Sequence, residues 1–118
     1  MKTLFILLFM TMSIADEPRK VLLFHNANGA QQLKSQLPIF DAAKKGMQER
    51  DINVESIPFS TQNADQWKKW KVDTNEAFTF ILVGRDGGEK HRSDEAVPTE
   101  KLFALIDAMP MRKREINN

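Results

Sequence analysis

The chain has 118 residues, with 17 basic and 16 acidic side chains and no cysteine. A balance this close to neutral gives no whole-molecule attraction to nucleic acid or anionic lipid. The absence of thiols excludes a disulfide, a thiolate nucleophile and a thiolate metal site. The length suits one small domain with a modest core.

Residues 1–15 open with a single lysine, Lys2, followed by an apolar run of about ten residues. Small residues Ser13 and Ala15 then precede Asp16-Glu17-Pro18. This is the pattern of a secretory signal peptide, and it is short for a membrane span. An uncleaved anchor and a buried first strand are the other readings of the same stretch. No cysteine follows the apolar run, which excludes a lipoprotein anchor. Cleavage after Ala15 leaves residues 16–118 as a single domain with 16 basic and 16 acidic side chains and no membrane anchor. The expected location is exported, periplasmic or extracellular.

Arg19-Lys20-Val21-Leu22-Leu23-Phe24 is an apolar run that predicts a buried strand, and His25-Asn26-Ala27-Asn28-Gly29 predicts a loop entering a helix. Leu33, Leu37, Phe40, Ala43 and Met47 recur at helical spacing between Ala30 and Arg50. Pro38 either kinks a helix that starts near Ala30 or sits in the first turn of one that starts near Ser35. Residues 52–57 predict a second strand, limited by Pro58. Residues 64–71 predict a short helix with Asn63 as its cap and Trp67 and Trp70 on one face.

Phe78-Thr79-Phe80-Ile81-Leu82-Val83 is apolar enough to predict a central strand covered on both faces. Asp86-Gly87-Gly88 supplies a tight reversal, and Glu89 to Arg92 returns as a polar edge strand. Thr99 is placed as the cap of a last helix, with Leu102, Leu105, Ile106 and Met109 as its apolar stripe and Pro110 as its stop. The order is β-α-β-α-β-β-α. A right-handed crossover makes the first two strands parallel neighbours. The predicted fold is therefore α/β, a mixed four-stranded sheet of order 4-3-1-2 with helices on both faces. This is the minimal thioredoxin-like arrangement.

The stretch from Phe78 to Arg92, with its Gly-Arg-Asp-Gly-Gly turn, resembles the central motif of a bacterial exported domain of unknown function. Residues Leu102 to Arg112, followed by Arg114-Glu115, resemble its carboxyl end. That domain is similar to the P-DUDES, or peroxiredoxin-like, domain, which also occurs in vertebrate matrix and sushi-repeat proteins. The resemblance covers residues 19–115 and implies a thioredoxin-like fold, an extracytoplasmic location and no established activity. Redox members of that fold carry a cysteine after the first strand or at the start of the next helix, and a proline before the central strand. This chain has His25 to Ala30 and Asn75-Glu76-Ala77 in those places. Cysteine-based redox chemistry is excluded.

In the predicted sheet order the fourth strand runs parallel to the first. His25, Asn26, Lys90 and Arg92 then meet at one edge beside a helix amino end, a pocket for a small anion. Edge protection by Lys90 and Arg92 is the alternative. Lys90 and Arg92 are predicted to share a face, with His91 opposite. Trp67 and Trp70 read either as a partner platform or as cover for the sheet with their N–H groups satisfied. Arg112 and Arg114 belong to a basic cluster suited to an acidic partner. His25 and His91 are not at ligand spacing, so neither metal nor cofactor is expected. The function expected is a non-catalytic binding or adaptor module for an anionic ligand or a protein partner. The rival is a non-thiol enzyme acting on a small anion at the same edge, which would require a perturbed His25 in a cleft.

Overall fold

The computed structural model describes residues 17–117, so the leader expected over residues 1–15 lies outside the described residues. Four strands form one sheet: β1 (Arg19–His25), β2 (Ile52–Pro58), β3 (Phe78–Val83) and β4 (Glu89–Ser93). Their order is β2-β1-β3-β4, the expected order read from the opposite edge. β1 and β2 are parallel, and β3 is antiparallel to both β1 and β4, so β4 runs parallel to β1. All six residues of β3 are buried, as its unbroken apolar run requires of a strand covered on both faces.

Among the described residues a 3-10 turn (Ala27–Gly29) and five α-helices accompany the sheet. The α-helices are α1 (Ala30–Ala42), α2 (Lys44–Glu49), α3 (Ala64–Lys69), α4 (Thr99–Asp107) and α5 (Pro110–Asn117). α1 contains Pro38, so the helix does begin near Ala30. It breaks at Ala43, where ψ turns to 26°. Thr99 is the first helical residue of α4, not its cap, which is Pro98. Asn63 is the cap residue of α3, as expected, but through its carbonyl; its side chain donates to the Pro58 carbonyl at 3.0 Å. Pro110 ends no continuous helix but opens α5, because a fixed φ and a missing N–H suit the first helical position.

The alternation of β1 divides the core. Val21 and Leu23 pack with Phe78, Phe80 and Leu82 beneath α1, α2 and α4, through Phe40, Met47, Leu102 and Ile106. Leu22 and Phe24 pack with Ile81, Val83 and Trp67 of α3 on the other face. Gln36 is the buried polar exception on the first face. Its amide donates to the Val97 carbonyl at 2.9 Å and accepts from the Val97 N–H at 2.7 Å, pinning the segment between β4 and α4 onto α1. Both halves of the amide are satisfied, so its burial costs little.

Candidate functional site

The loop after β1 is closed by its own side chains. Asn26 Oδ1 accepts from the Asn28 N–H at 2.8 Å, while Nδ2 donates to the carbonyls of Thr74 (3.3 Å) and Glu76 (3.0 Å). The Asn26 N–H donates to the Ala77 carbonyl at 3.1 Å. Gly29 lies so close beneath that a Cβ there would stand 1.9 Å from the Ala77 oxygen. Every strong donor of Asn26 is therefore spent on backbone, leaving none for a ligand. His25 ends β1 half-buried, with Nε2 and Ser56 Oγ 2.9 Å apart, and desolvation lowers its pKa. Ser56 is a partner that sequence spacing does not reveal, since it lies on the neighbouring parallel strand.

The four residues expected to share an anion pocket do not converge. Arg92 aligns with Ile81, and through it with Leu22, three residues before His25 along β1. That is about 10 Å along the sheet. Arg92 also lies on the Trp67 face, whereas His25 continues the alternation of Val21 and Leu23 on the other. Its guanidinium donates to Glu89 (2.7 Å), to the Lys71 carbonyl (3.2 Å) and to the Trp70 carbonyl, so it closes the carboxyl end of α3. Hydrogen bonding by Arg92 holds the Glu89 carboxyl below its ordinary range.

Lys90 and Arg92 do not share a face. Val83 pairs with Glu89 and Leu82 with His91, so Lys90 is the extra residue of a β-bulge. The bulge breaks the period of two. Lys90 lies over Gly84, and its ammonium donates to Asp86 at 2.9 Å. His91 turns to the Leu82 face, with Nε2 buried and without a partner among the described residues.

Trp67 is 1% exposed and stacks edge-to-face on Phe24 and Phe59, so it is core and no platform. Its N–H has no acceptor among the described residues, contrary to expectation. Trp70 is half-buried against the same cluster, with the Lys69 ammonium 5.6 Å from its ring.

Arg112 is not free to dock an acidic partner: it is 5% exposed and spends its guanidinium inside the molecule. It donates to Asp107 at 3.1 Å and Glu49 at 3.2 Å. Arg114 beside it is exposed. Arg112 is one corner of a network at the end of the sheet opposite His25. Arg50 binds Asp107 through two N–H groups, at 3.1 and 3.0 Å. Arg19, 1% exposed, donates to the Arg50 carbonyl (2.8 Å) and to Glu115 (3.0 Å). Arg85, from the β3–β4 turn, donates to Glu115 (3.0 Å) and Asp51 (2.9 Å). Burial works against the Glu115 carboxylate, but the Arg19 and Arg85 guanidiniums outweigh it and hold its pKa down. Arg50, then Arg112, does the same for Asp107.

A cavity of about 290 Å³ opens on this network. Its walls are Met109, Pro110 and Met111, and its charged lining is Arg19, Arg85, Lys90 and Asp86. Only Lys90 of these was singled out from sequence. The signals that were present, acidic and basic residues on both sides of Pro110, read only as a solvated charged tail. Among the described residues no three His, Asp or Glu side chains are grouped to hold a metal ion.

A four-stranded mixed sheet with helices on both faces and no thiol defines a cysteine-free domain of the thioredoxin fold. Solved structures agree. Thioredoxin-2 of a malaria parasite, described as a component of its protein secretion machinery, is 23% identical and superposes with a TM-score of 0.60. That match covers 78% of this chain and 84% of that one. Thioredoxin peroxidase I of Plasmodium yoelii is 14% identical with a TM-score of 0.64, over 87% and 79% of the two chains. Trxlp of Edwardsiella tarda is 24% identical with a TM-score of 0.54, over 82% and 89%. At these identities the likeness is one of fold. No curated protein matches the chain. Residues 12–115 match a domain of unknown function, DUF4174, and the chain belongs to that family.

Proposed function

We propose that the chain is an exported, non-catalytic binding module for a small anion, built on a thioredoxin fold whose reaction end has been closed. In this proposal the family is kin to the P-DUDES domain, vertebrate matrix and sushi-repeat relatives included, and residues 1–15 direct export. The observation that carries the proposal is Asn26. It stands in the loop where thiol-bearing relatives hold a nucleophile; all its donors go to the backbone of residues 74–77, and its Oδ1 accepts from its own turn. A loop bonded in this way offers no thiol nucleophile and no free Asn26 donor. Donors with capacity to spare line the Met109–Met111 cavity at the other end of the sheet.

The enzymatic alternative would fall to the His25–Ser56 pair. His25 has no carboxylate to orient Nδ1 among the described residues, and neither residue lines the cavities flanking the sheet. An activated hydroxyl needs both. The test is a thermal-shift screen of the protein beginning at Asp16 against small carboxylates, phosphates and sulfonates. Saturable stabilisation with no chemical change in the ligand is expected. Turnover of a ligand that is lost in His25→Gln, or no stabilisation by any anion, contradicts the proposal. Protein that keeps residues 1–15 and stays in the cytoplasm contradicts its export half.

A further inference from the structure

We infer that the cavity at Met109–Met111 is a site for a small amphipathic monocarboxylate, an acid with an apolar body of about eight carbons. This deepens the binding role proposed above and rests on it. Its first support is an imbalance of charge at the wall. Arg19, Arg85 and Lys90 line the cavity against a single lining carboxylate, Asp86. The imbalance is confined to the lining: outside it Glu115 is shared by Arg19 and Arg85, and Asp51 is paired with Arg85.

The second support is unspent hydrogen-bonding capacity on those same three cations. Arg19 is 1% exposed and its Nε–H is buried with no acceptor among the described residues, so a ligand meets it only if the side chain shifts. A buried donor left unpaired costs free energy that a native interior ordinarily removes. The Arg85 bonds run from Nε and Nη1, which leaves Nη2 without one. The Lys90 ammonium uses one of its three N–H groups, on Asp86. A carboxylate has two oxygens and about four lone-pair sites, which suits several convergent donors from guanidinium and ammonium groups.

The third support is the opposite wall. Met109, Pro110 and Met111 present only carbon and sulfur, and flexible thioethers adapt to an aliphatic body. A volume of about 290 Å³ equals the liquid volume of roughly ten waters. Octanoate, with about ten non-hydrogen atoms, is of matching size. A bare inorganic anion would leave the methionine wall unused, and a neutral lipid would leave the donors unmet.

The test is amide chemical-shift mapping of the folded protein with octanoate below its micellar concentration, against octan-1-ol, octylammonium and acetate. Octanoate is expected to shift the amides of Arg19, Arg85, Lys90 and Met109 to Met111 saturably, with acetate far weaker and octylammonium silent. Lys90→Gln, on an exposed strand, should weaken octanoate about tenfold, the loss of one charge-assisted hydrogen bond. Met111→Gln should weaken octanoate while leaving acetate unchanged. Arg92→Gln, on the other face, should change neither. Equal shifts by octan-1-ol or octylammonium overturn the assignment, as do shifts that map elsewhere or an unaffected Lys90→Gln. Should another anion stabilise the protein while octanoate leaves this cavity untouched, the site assignment falls and the binding role stands.

Discussion

Arg19, the first residue of β1, is bound to Glu115 in the last helix at 3.0 Å, tying the first strand to that helix. The arginine is almost wholly buried, so its charge depends on that partner. Removing one member of such a pair strands the other, which costs more than the intact pair contributes. Glu115→Ala should therefore destabilise the protein by about 3 kcal/mol. The neighbouring Arg114→Ala, at an exposed position, should change stability by less than about 0.5 kcal/mol. Urea denaturation of both variants checks the contrast, and equal small effects would show that the network adds little.

The same pairs set a pH dependence. Glu115 and Asp107 have pKa values below their ordinary ones, so between the folded and unfolded values the unfolded chain binds more protons. Their stabilisation is complete above about pH 5 and is lost as the pH falls through the lowered values. His25, also lowered, acts in the same direction at higher pH: its contribution fades as the pH drops below about 6.5. Urea midpoints should be flat from pH 7 to 8, decline gently below 6.5 and steeply below 4.5. His25→Gln should remove only the gentle phase. A midpoint that rises on acidification would contradict the pairing.

At the closed end of the sheet, Gly29→Ala should be among the most damaging single-methyl changes in the chain. The added carbon would meet a backbone oxygen at 1.9 Å, which cannot swing aside as a side chain can. A loss of about 3 kcal/mol, or failure to fold, is expected. Asn28→Ala serves as the exposed comparison, and thermal unfolding of the two reads the difference. For the same reason a pair of cysteines at 26 and 29 would not restore a thiol site, because position 29 has no space for a side chain.

Lys71 offers a change in the opposite direction. It holds φ at 54° just after α3, where the Val72 N–H reaches back to the Trp67 carbonyl at 2.9 Å. This is the Schellman ending that glycine usually supplies, here with Val72 and Trp67 in one apolar cluster. Lys71→Gly should raise stability by about 0.5–1 kcal/mol, relief of the left-handed strain exceeding glycine's entropic cost. A lower melting temperature would show that the lysine stem matters more than its backbone.

Much of this architecture can be read from one-dimensional pattern. The unbroken apolar run of β3, the Gly87 turn with φ at 83° and the Leu102–Ile106 stripe each express a local period or backbone need. The sheet order followed from crossover handedness and one hairpin. The site was less legible. A single bulge residue, Lys90, reversed the facing that a period of two assigned. Pro110 was read as a stop, although the same ring chemistry starts a helix, and with it went the placement of Arg112 and Glu115. Arg19 and Glu115 are 96 residues apart, and no spacing rule links such a pair. Arg112, with its neighbouring charges, read as surface until the fold turned it inward.

The central claim is that anion recognition has left the loop after β1 for the Arg19–Arg85–Lys90 end of the sheet. It is tested most directly by the melting-temperature shift that a stabilising carboxylate produces in wild type, Lys90→Gln and His25→Gln. Ligand that binds the folded state alone raises the midpoint with concentration, so the shift reports occupancy of the site. The expected result is a shift largely lost in Lys90→Gln and intact in His25→Gln. A shift that survives in Lys90→Gln and disappears in His25→Gln would contradict it and return the site to the thioredoxin reaction edge.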